Sequence, residues 1–349
     1  MSGPVQRLGQ RPTRARRVGT GIVGLTVSGI AIAVLVTNID IGETAETLSQ
    51  TNLWFVAATM LLVPAQVLLR TLRWRLLLPP KADGHRPSVG RVMPVLLVGY
   101  LGNLILPGRL GEPARAYLLA RREQLGFAVV LGSVLLERVI DLASLAVVGV
   151  WAALQSGAPE WLVRGMTIVA VIGFALIVVL VASGISRSVR LMARLLGTRA
   201  VRLRAATDQA IKFGEGANGG GWGPLAGALV LSTITWFFVA GTYWLSAQAL
   251  GIDIRISASM LVAAVATLGT AIPSAPANIG TYEAATVIVL TALGVPAHEA
   301  LAMALLTHAI VTVPFAIMGA VAVTQLSISL VDVADEATAA LPAPTPESP

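Results

Sequence analysis

The chain has 349 residues, 55% of them apolar and only 12% charged, and its mean hydropathy is +0.78. A soluble domain carries about a quarter charged residues, so that class is excluded and an integral membrane protein is indicated. The chain contains no cysteine, which rules out disulfides, thiolate metal sites and cysteine nucleophiles, and His85, His298 and His308 share no ligand spacing. No metal, cofactor or catalytic residue is therefore expected. The net charge of +7 would point to nucleic acid in a soluble protein; here it reads as membrane topology, and no nucleic-acid partner is expected.

A bilayer crossing needs about 20 largely apolar residues. A basic segment, 1–17, precedes the first apolar run, and charge-free runs of crossing length lie at 18–39, 47–69, 165–186, 216–252 and 300–331. A sixth, 127–154, is interrupted by Glu137, Arg138 and Asp141. Two shorter stretches, 92–107 and 257–273, end in Gly/Pro-rich sequence and are expected to be broken or re-entrant helices. The fold class is thus all-α: a polytopic membrane protein with about six full transmembrane helices and two broken ones. The first run is long and lacks a small-x-small cleavage site, so it reads as a signal anchor rather than a cleaved signal peptide.

Arginine and lysine cluster at 7–17, 70–91, 109–122 and 187–212, while the intervening loops carry acids such as Asp40, Glu43, Glu160 and Asp253. The positive-inside bias places the N-terminus and all four clusters in the cytoplasm of a cell expected to hold the protein in its plasma membrane. The string RTLRWRLLL (70–78) reads as an interfacial anchor of snorkelling arginines around Trp74. The basic loop 184–215 has the spacing of an amphipathic surface helix attracted to anionic lipid. One transmembrane domain is expected over 18–326, followed by an acidic, Pro-rich and disordered tail, 327–349.

The two broken segments repeat one another. LGNLILPGRLGE (101–112) reaches Gly126 and then VLLER, ending at Arg138; LGTAIPSAPANIGTYE (268–283) reaches Gly294 and then ALLTH, ending at His308. Pro107 precedes its glycine by 19 residues and Pro276 by 18. The repeat cores are 89–141 and 257–310. An odd number of crossings between them makes the repeat inverted, the plan of many secondary transporters, whose discontinuous helices meet near the midplane.

Charge at membrane depth marks the candidate site, because a charged residue at a helix centre costs roughly 2.5–3.5 kcal/mol on insertion. Glu137 and Asp141 share a face at i,i+4, and Arg138 with Asp141 at i,i+3 either forms a structural ion pair or is neutralised locally while presenting its fork to a phosphate. Arg109, Glu112 and Arg115 lie on one face after the first break, with the two arginines as a cytoplasmic clamp for a head group and Glu112 orienting one of them. Asn278, Gly280 and Glu283 close the second break, where an unpaired carboxylate would suit proton coupling and one hydrogen-bonded to the freed backbone would be structural. His308 stands where Arg138 stands in the first copy.

At LPGRLGEPARAYLLARR with a downstream LLERVIDL, and at PSAPANIGTYEAA followed by LGVPAHEALAMALLTH, the chain resembles the flippase-like transmembrane domain of lysylphosphatidylglycerol synthase over about residues 18–326. The resemblance implies an inverted-repeat bundle that moves a lipid, such as an aminoacylated phosphatidylglycerol, between leaflets. It marks Glu137, Arg138, Asp141, Gly280 and Glu283 as site residues. Where the family often ends its second repeat in Tyr-Arg, this chain has Thr307-His308. Only about 20 polar residues follow the membrane part, so no aminoacyl-transferase domain, and no lysine transfer, is expected. The expected partners are anionic membrane lipids, which include polyprenyl-phosphate sugars, and a lipid-modifying enzyme; self-association is left open. Two other classes stay open as well: an enzyme subunit acting on a lipid-linked substrate, and a scaffold that transports nothing.

Overall fold

The computed structural model describes residues 14–81, 83–106, 110–182, 223–272 and 274–340. Every element among them is helical: α1 (Arg14–Asn38), α2 (Ile41–Ser49), α3 (Leu53–Leu77), α4 (Val89–Ile105), α5 (Gly111–Glu123), α6 (Phe127–Gln155), α7 (Glu160–Ala182), α8 (Gly223–Ala249), α9 (Ile256–Gly269), α10 (Thr281–Ala292), α11 (Ala297–Leu326) and α12 (Leu330–Ala340). A single 3-10 turn, Pro276–Asn278, lies between α9 and α10. Among the described residues α3, α8 and α11 are long and apolar enough to cross a bilayer, and α1 with α2, bent by 88°, makes a fourth if the bent pair is one span. The 29-residue α6 is not among them, and it carries Glu137, Arg138 and Asp141 in its middle. Large apolar side chains point outward along these helices, among them Leu61, Val147, Phe174, Phe237 and Ile317, as lipid-facing side chains do.

Several sequence boundaries are corrected. The expected run 47–69 is not one helix: Asp40 caps α2 by accepting from the backbone N–H groups of Gly42 (2.7 Å) and Glu43 (3.1 Å), and α3 starts afresh behind the Asn52 cap. Competing caps end a helix that hydropathy alone would run through. The tail is not wholly disordered either. Residues 330–340 form α12, which buries Val333, Ala334 and Ala337 against the bundle and pairs Glu336 with Arg121 on α5 (3.0 Å). An apolar stripe at helical spacing outweighs the acidic composition there. Residues 341–349, the basic loop 184–215 and residues 1–13 of the basic N-terminal segment lie outside the described residues.

The helices fall into two matching sets, α3–α4–α5–α6 and α8–α9–α10–α11. Each set holds a long helix, a two-armed broken segment and a second long helix. Packing is unchanged when the sets are exchanged: α4 packs on α11 as α9 does on α6, α3 on α11 as α8 does on α6, and the most extensive interface, α3 with α8, maps onto itself. Two apolar cores follow the same rule, one around Val92, Val95 and Leu96 of α4, the other around Met260, Leu261 and Val262 of α9.

Close backbone approach shapes the arms. A Cβ on Gly111 would lie 2.0 Å from the Gly99 carbonyl oxygen, and one on Gly102 would lie 2.8 Å from Gly111 Cα, so α4 and α5 touch main chain to main chain. At the other break a Cβ on Gly269 would meet Ala285 Cβ at 2.6 Å. Small residues permit such contacts in membrane bundles.

Candidate functional site

Among the described residues, two polar clusters occupy matching places inside the bundle, one for each set of helices. The first is built on α6. Arg73, which is 0% exposed, reaches from α3 to Glu137 (2.7 Å), to both carboxylate oxygens of Asp141 (2.9 Å to Oδ2) and to Ser232 on α8 (3.0 Å). Ser232 donates in turn to Asp141 (2.8 Å). The other oxygen of Glu137 accepts from Arg115 on α5 (2.9 Å), whose guanidinium carbon also stands 4.5 Å over the Trp74 ring. Glu137 is 0% exposed and Arg115 only 1%. Arg138, one residue on, turns to Glu112 on α5 (3.0 Å) and more distantly to Asp141 (3.8 Å), keeping 33% of its side chain exposed.

Three cations thus meet three acids. Desolvating a charge costs several kcal/mol, which only close and mutual pairing repays, and the cluster is balanced accordingly. Hydrogen bonding is not balanced. Arg73 Nε, Arg115 Nη1 and the Tyr100 hydroxyl are buried and have no partner among the described residues, and Tyr100 stands within electrostatic reach of both Arg73 and Arg138. The surplus is chiefly of donors.

The second cluster closes the break between α9 and α10. Glu283 sits in the first turn of α10, where its Oε2 accepts from Gly280 N (2.6 Å) and its Oε1 is bonded to His308 Nδ1 from α11. The other ring nitrogen of His308 lies 3.0 Å from the Ala277 carbonyl oxygen. Tyr282 packs on the imidazole at 4.5 Å between ring centroids and shares a 2.7 Å hydrogen bond with Tyr243 of α8. The backbone of the break is unusual: Ala277 and Asn278 both have φ 59 and Gly280 φ 91, and left-handed non-glycine residues cost roughly 1–2 kcal/mol each. External ties hold it. Ser28 on α1 accepts from Ala275 N (2.8 Å) and donates to Ile279 O (2.7 Å), and a Cβ on the neighbouring Gly24 would fall 2.5 Å from Ser274 O.

Of the residues singled out in the sequence, Glu112, Arg115, Glu137, Arg138 and Asp141 come together, and Asn278, Gly280, Glu283 and His308 form the second group. Arg109 lies outside the described residues. Several assigned roles change. Arg115 is no surface clamp but a buried partner of Glu137, and Glu112 orients Arg138 rather than either clamp arginine. Glu283 is not free: it pairs with His308 and accepts from Gly280 N, the backbone-tying role that the sequence also offered. Asn278 accepts only a long bond from Ser274 (3.4 Å) and contributes mainly its backbone. The string 70–78 is not an interfacial anchor, since Arg73 and Trp74 are fully buried. Arg73, Tyr100, Tyr243 and Tyr282 were missed. Gln66, Arg70 and Arg73 recur at i, i+4 and i+7, which is the helical signal by which Arg73 stood to be found.

An all-helical, lipid-facing bundle with paired charges inside defines a polytopic integral membrane protein. Residues 21–319 match the family described as Lysylphosphatidylglycerol synthase TM region, and the chain belongs to that family. It is similar to the Glycosyltransferase AglD of Haloferax volcanii, 26% identical over 93% of this chain and 57% of that protein. The chain thus spans little more than half of that relative. A UPF0104 membrane protein of Methanothermobacter thermautotrophicus is 34% identical over 37% of this chain and 38% of its own length. Another from Methanocaldococcus jannaschii is 24% identical over 63% of this chain and 91% of its own.

Proposed function

We propose that the protein is a flippase or scramblase for an anionic, phosphate-bearing lipid. The donor surplus at the α6 cluster carries this reading: buried guanidinium and phenol donors whose acids are already engaged suit an incoming phosphate, with its several acceptor oxygens. Arg138, one-third exposed, makes first contact with the phosphate, and Arg73 and Tyr100 supply donors behind it. No reacting group is assigned, and the protein works as a transporter rather than an enzyme.

The topology that goes with this reading has six full crossings, α1, α3, α6, α7, α8 and α11, and two broken segments, α4/α5 from the cytoplasm and α9/α10 from outside, in the plasma membrane. Contacts between distant parts of the chain support it. The His298–Glu43 pair (3.1 Å) and the Asn52 N to Ala249 O bond (2.7 Å) join elements all assigned to the outside, and Arg121–Glu336 joins two assigned to the cytoplasm. The N-terminus is then cytoplasmic, and the exchange-symmetric packing becomes an inverted repeat.

A second reading, a membrane subunit working with an enzyme on lipid-linked glycans, is favoured by the relative named a glycosyltransferase. Both readings use an anionic lipid and a lipid-modifying partner, and a polyprenyl phosphate satisfies the same arginines. The test is leaflet exchange in proteoliposomes of fluorescent phosphatidylglycerol, phosphatidylcholine and polyprenyl phosphate, with Arg138→Ala beside the intact protein. Exchange selective for anionic lipid and reduced at least tenfold in the variant is expected. Folded protein that moves none of the three sinks the flippase reading.

A further inference from the structure

The contacts of His308 limit where its protons can sit. A carbonyl oxygen only accepts, so the 3.0 Å contact with Ala277 O requires Nε2 to donate, which uses the one hydrogen of a neutral imidazole. Nδ1 would then meet Glu283 Oε1 as one acceptor against another. The bond between them forms only if a second hydrogen is present, on Nδ1 or on Oε1. Glu283 Oε2 is already engaged with Gly280 N at 2.6 Å. The closed dyad therefore holds one proton more than a neutral histidine with a carboxylate, and is electrically neutral with it. Without that proton it is a buried anion, with side chains 14% and 7% exposed, about 17 Å along α11 from its start. That depth is near the middle of a roughly 30 Å hydrocarbon core.

Nothing else ionisable among the described residues touches the dyad except tyrosine. Tyr282 lies on the imidazole and Tyr243 bonds to Tyr282. The neighbouring α9 has no ionisable residue, and α1 offers Ser28 to the break. From α4, Tyr100 packs on Phe315 (5.0 Å between centroids), two turns along α11, and Arg91 pairs with Glu123. From α2, Glu43 pairs with His298; from α3, Arg73 and Arg75 are bonded elsewhere and Arg70 makes no contact with the dyad. The proton also matters to the backbone, because the same imidazole that receives it holds Ala277 in its left-handed conformation.

We infer that Glu283 and His308 form a proton-binding site that couples lipid movement to proton movement. One H+ binds between Oε1 and Nδ1 when the break is closed on α11 and α1. When the dyad opens to water, the proton leaves to that water and no other bond changes order. The carboxylate and the bare Nδ1 lone pair then repel, and as the imidazole turns away from Glu283 its Nε2–H is drawn off the Ala277 carbonyl, so residues 274–280 are free to swing from α11. This inference rests on the flippase reading and adds its coupling ion.

Glu283→Gln tests it, because the amide NH2 can donate to Nδ1 while its oxygen still accepts from Gly280 N, reproducing the protonated dyad in a form that cannot titrate. The readout is the ratio of phosphatidylglycerol exchange rates with and without an imposed pH gradient, in liposomes of phosphatidylglycerol and phosphatidylcholine. The ratio is expected to be several-fold above one in the intact protein and to fall to one in the variant. A ratio of one in the intact protein, with exchange persisting, overturns proton coupling and leaves the flippase reading standing. If the intact protein exchanges no lipid, both fail. Hydrogen exchange of residues 274–280, normalised to intrinsic rates, reads the proton site without transport: exposure should rise with pH in the intact protein and stay flat in the variant. Equal pH dependence in the two overturns the site, even where Glu283→Gln abolishes exchange.

Discussion

The α6 and α11 clusters occupy matching places in the two sets of helices but are held by different chemistry. In the first, α3 sends Arg73 to two acids of α6; in the second, its counterpart α8 sends Tyr243 to Tyr282 and so to His308. Acid on the short helix faces base on the long one in both, as Glu112–Arg138 and Glu283–His308. A guanidinium keeps its charge in any surroundings, so the first cluster must be matched acid for base. Imidazole and phenol need no such matching, and the second cluster can gain or lose a proton. Repetition of the helices fixes where polar groups gather; the side chains placed there decide whether a site is permanently charged or changes charge.

The contrast can be broken most severely at Glu137. Glu137→Ala leaves Arg73 and Arg115 without the acid they share, and about 3–5 kcal/mol of stability should be lost, read by denaturant or thermal unfolding in detergent. A loss below about 1 kcal/mol would show that the cluster is not a connected network. Next in size is Gly111→Ala, whose new methyl would press on Gly99 O, with an expected cost of about 1–3 kcal/mol. Its control is Gly132→Ala on α6, where a Cβ meets nothing within 4 Å and helix propensity should give a gain of roughly 0.5–1 kcal/mol. Smaller again is Ser28→Ala, which removes two hydrogen bonds to the second break. It should cost about 1–2 kcal/mol, localised as faster hydrogen exchange at residues 274–280; unchanged exchange there would mean that α1 does not hold the break.

Most of the long helices, and the Gly/Pro-rich stretches that follow α4 and α9, were legible because hydropathy and Gly/Pro punctuation are local signals. So was the polar stripe Glu137, Arg138, Asp141, since charge at that depth has no cheap solvent. Its partners were not legible. Arg73 sits four residues before the end of α3, where a snorkelling arginine and a buried one read alike until the helix opposite is known. The pairing is also shared more widely than spacing tells: Arg138 keeps its i,i+3 contact with Asp141 (3.8 Å), yet Arg73 takes both oxygens of that acid and the nearer partner of Arg138 is Glu112 (3.0 Å). Spacing within one helix cannot rank a neighbour against a residue brought in from another. The α12 helix was hidden by acidic composition, although Leu330, Val333, Ala334 and Ala337 fall at i, i+3, i+4 and i+7.

The contact of α4 with α5 through Gly99, Gly102 and Gly111 has a mechanical consequence. Side chains between two helices act as rollers that let them slide or scissor; here main chain abuts main chain, and neither arm can shift alone without a collision. The arms therefore form one stiff wedge. Bending must fall at its margin, where Gln124 with φ 56 and the extended Gly126 link it to α6. Arg115 travels with the wedge while Arg138 stays on α6, so a few degrees of rotation there would widen or narrow the space between two guanidinium groups.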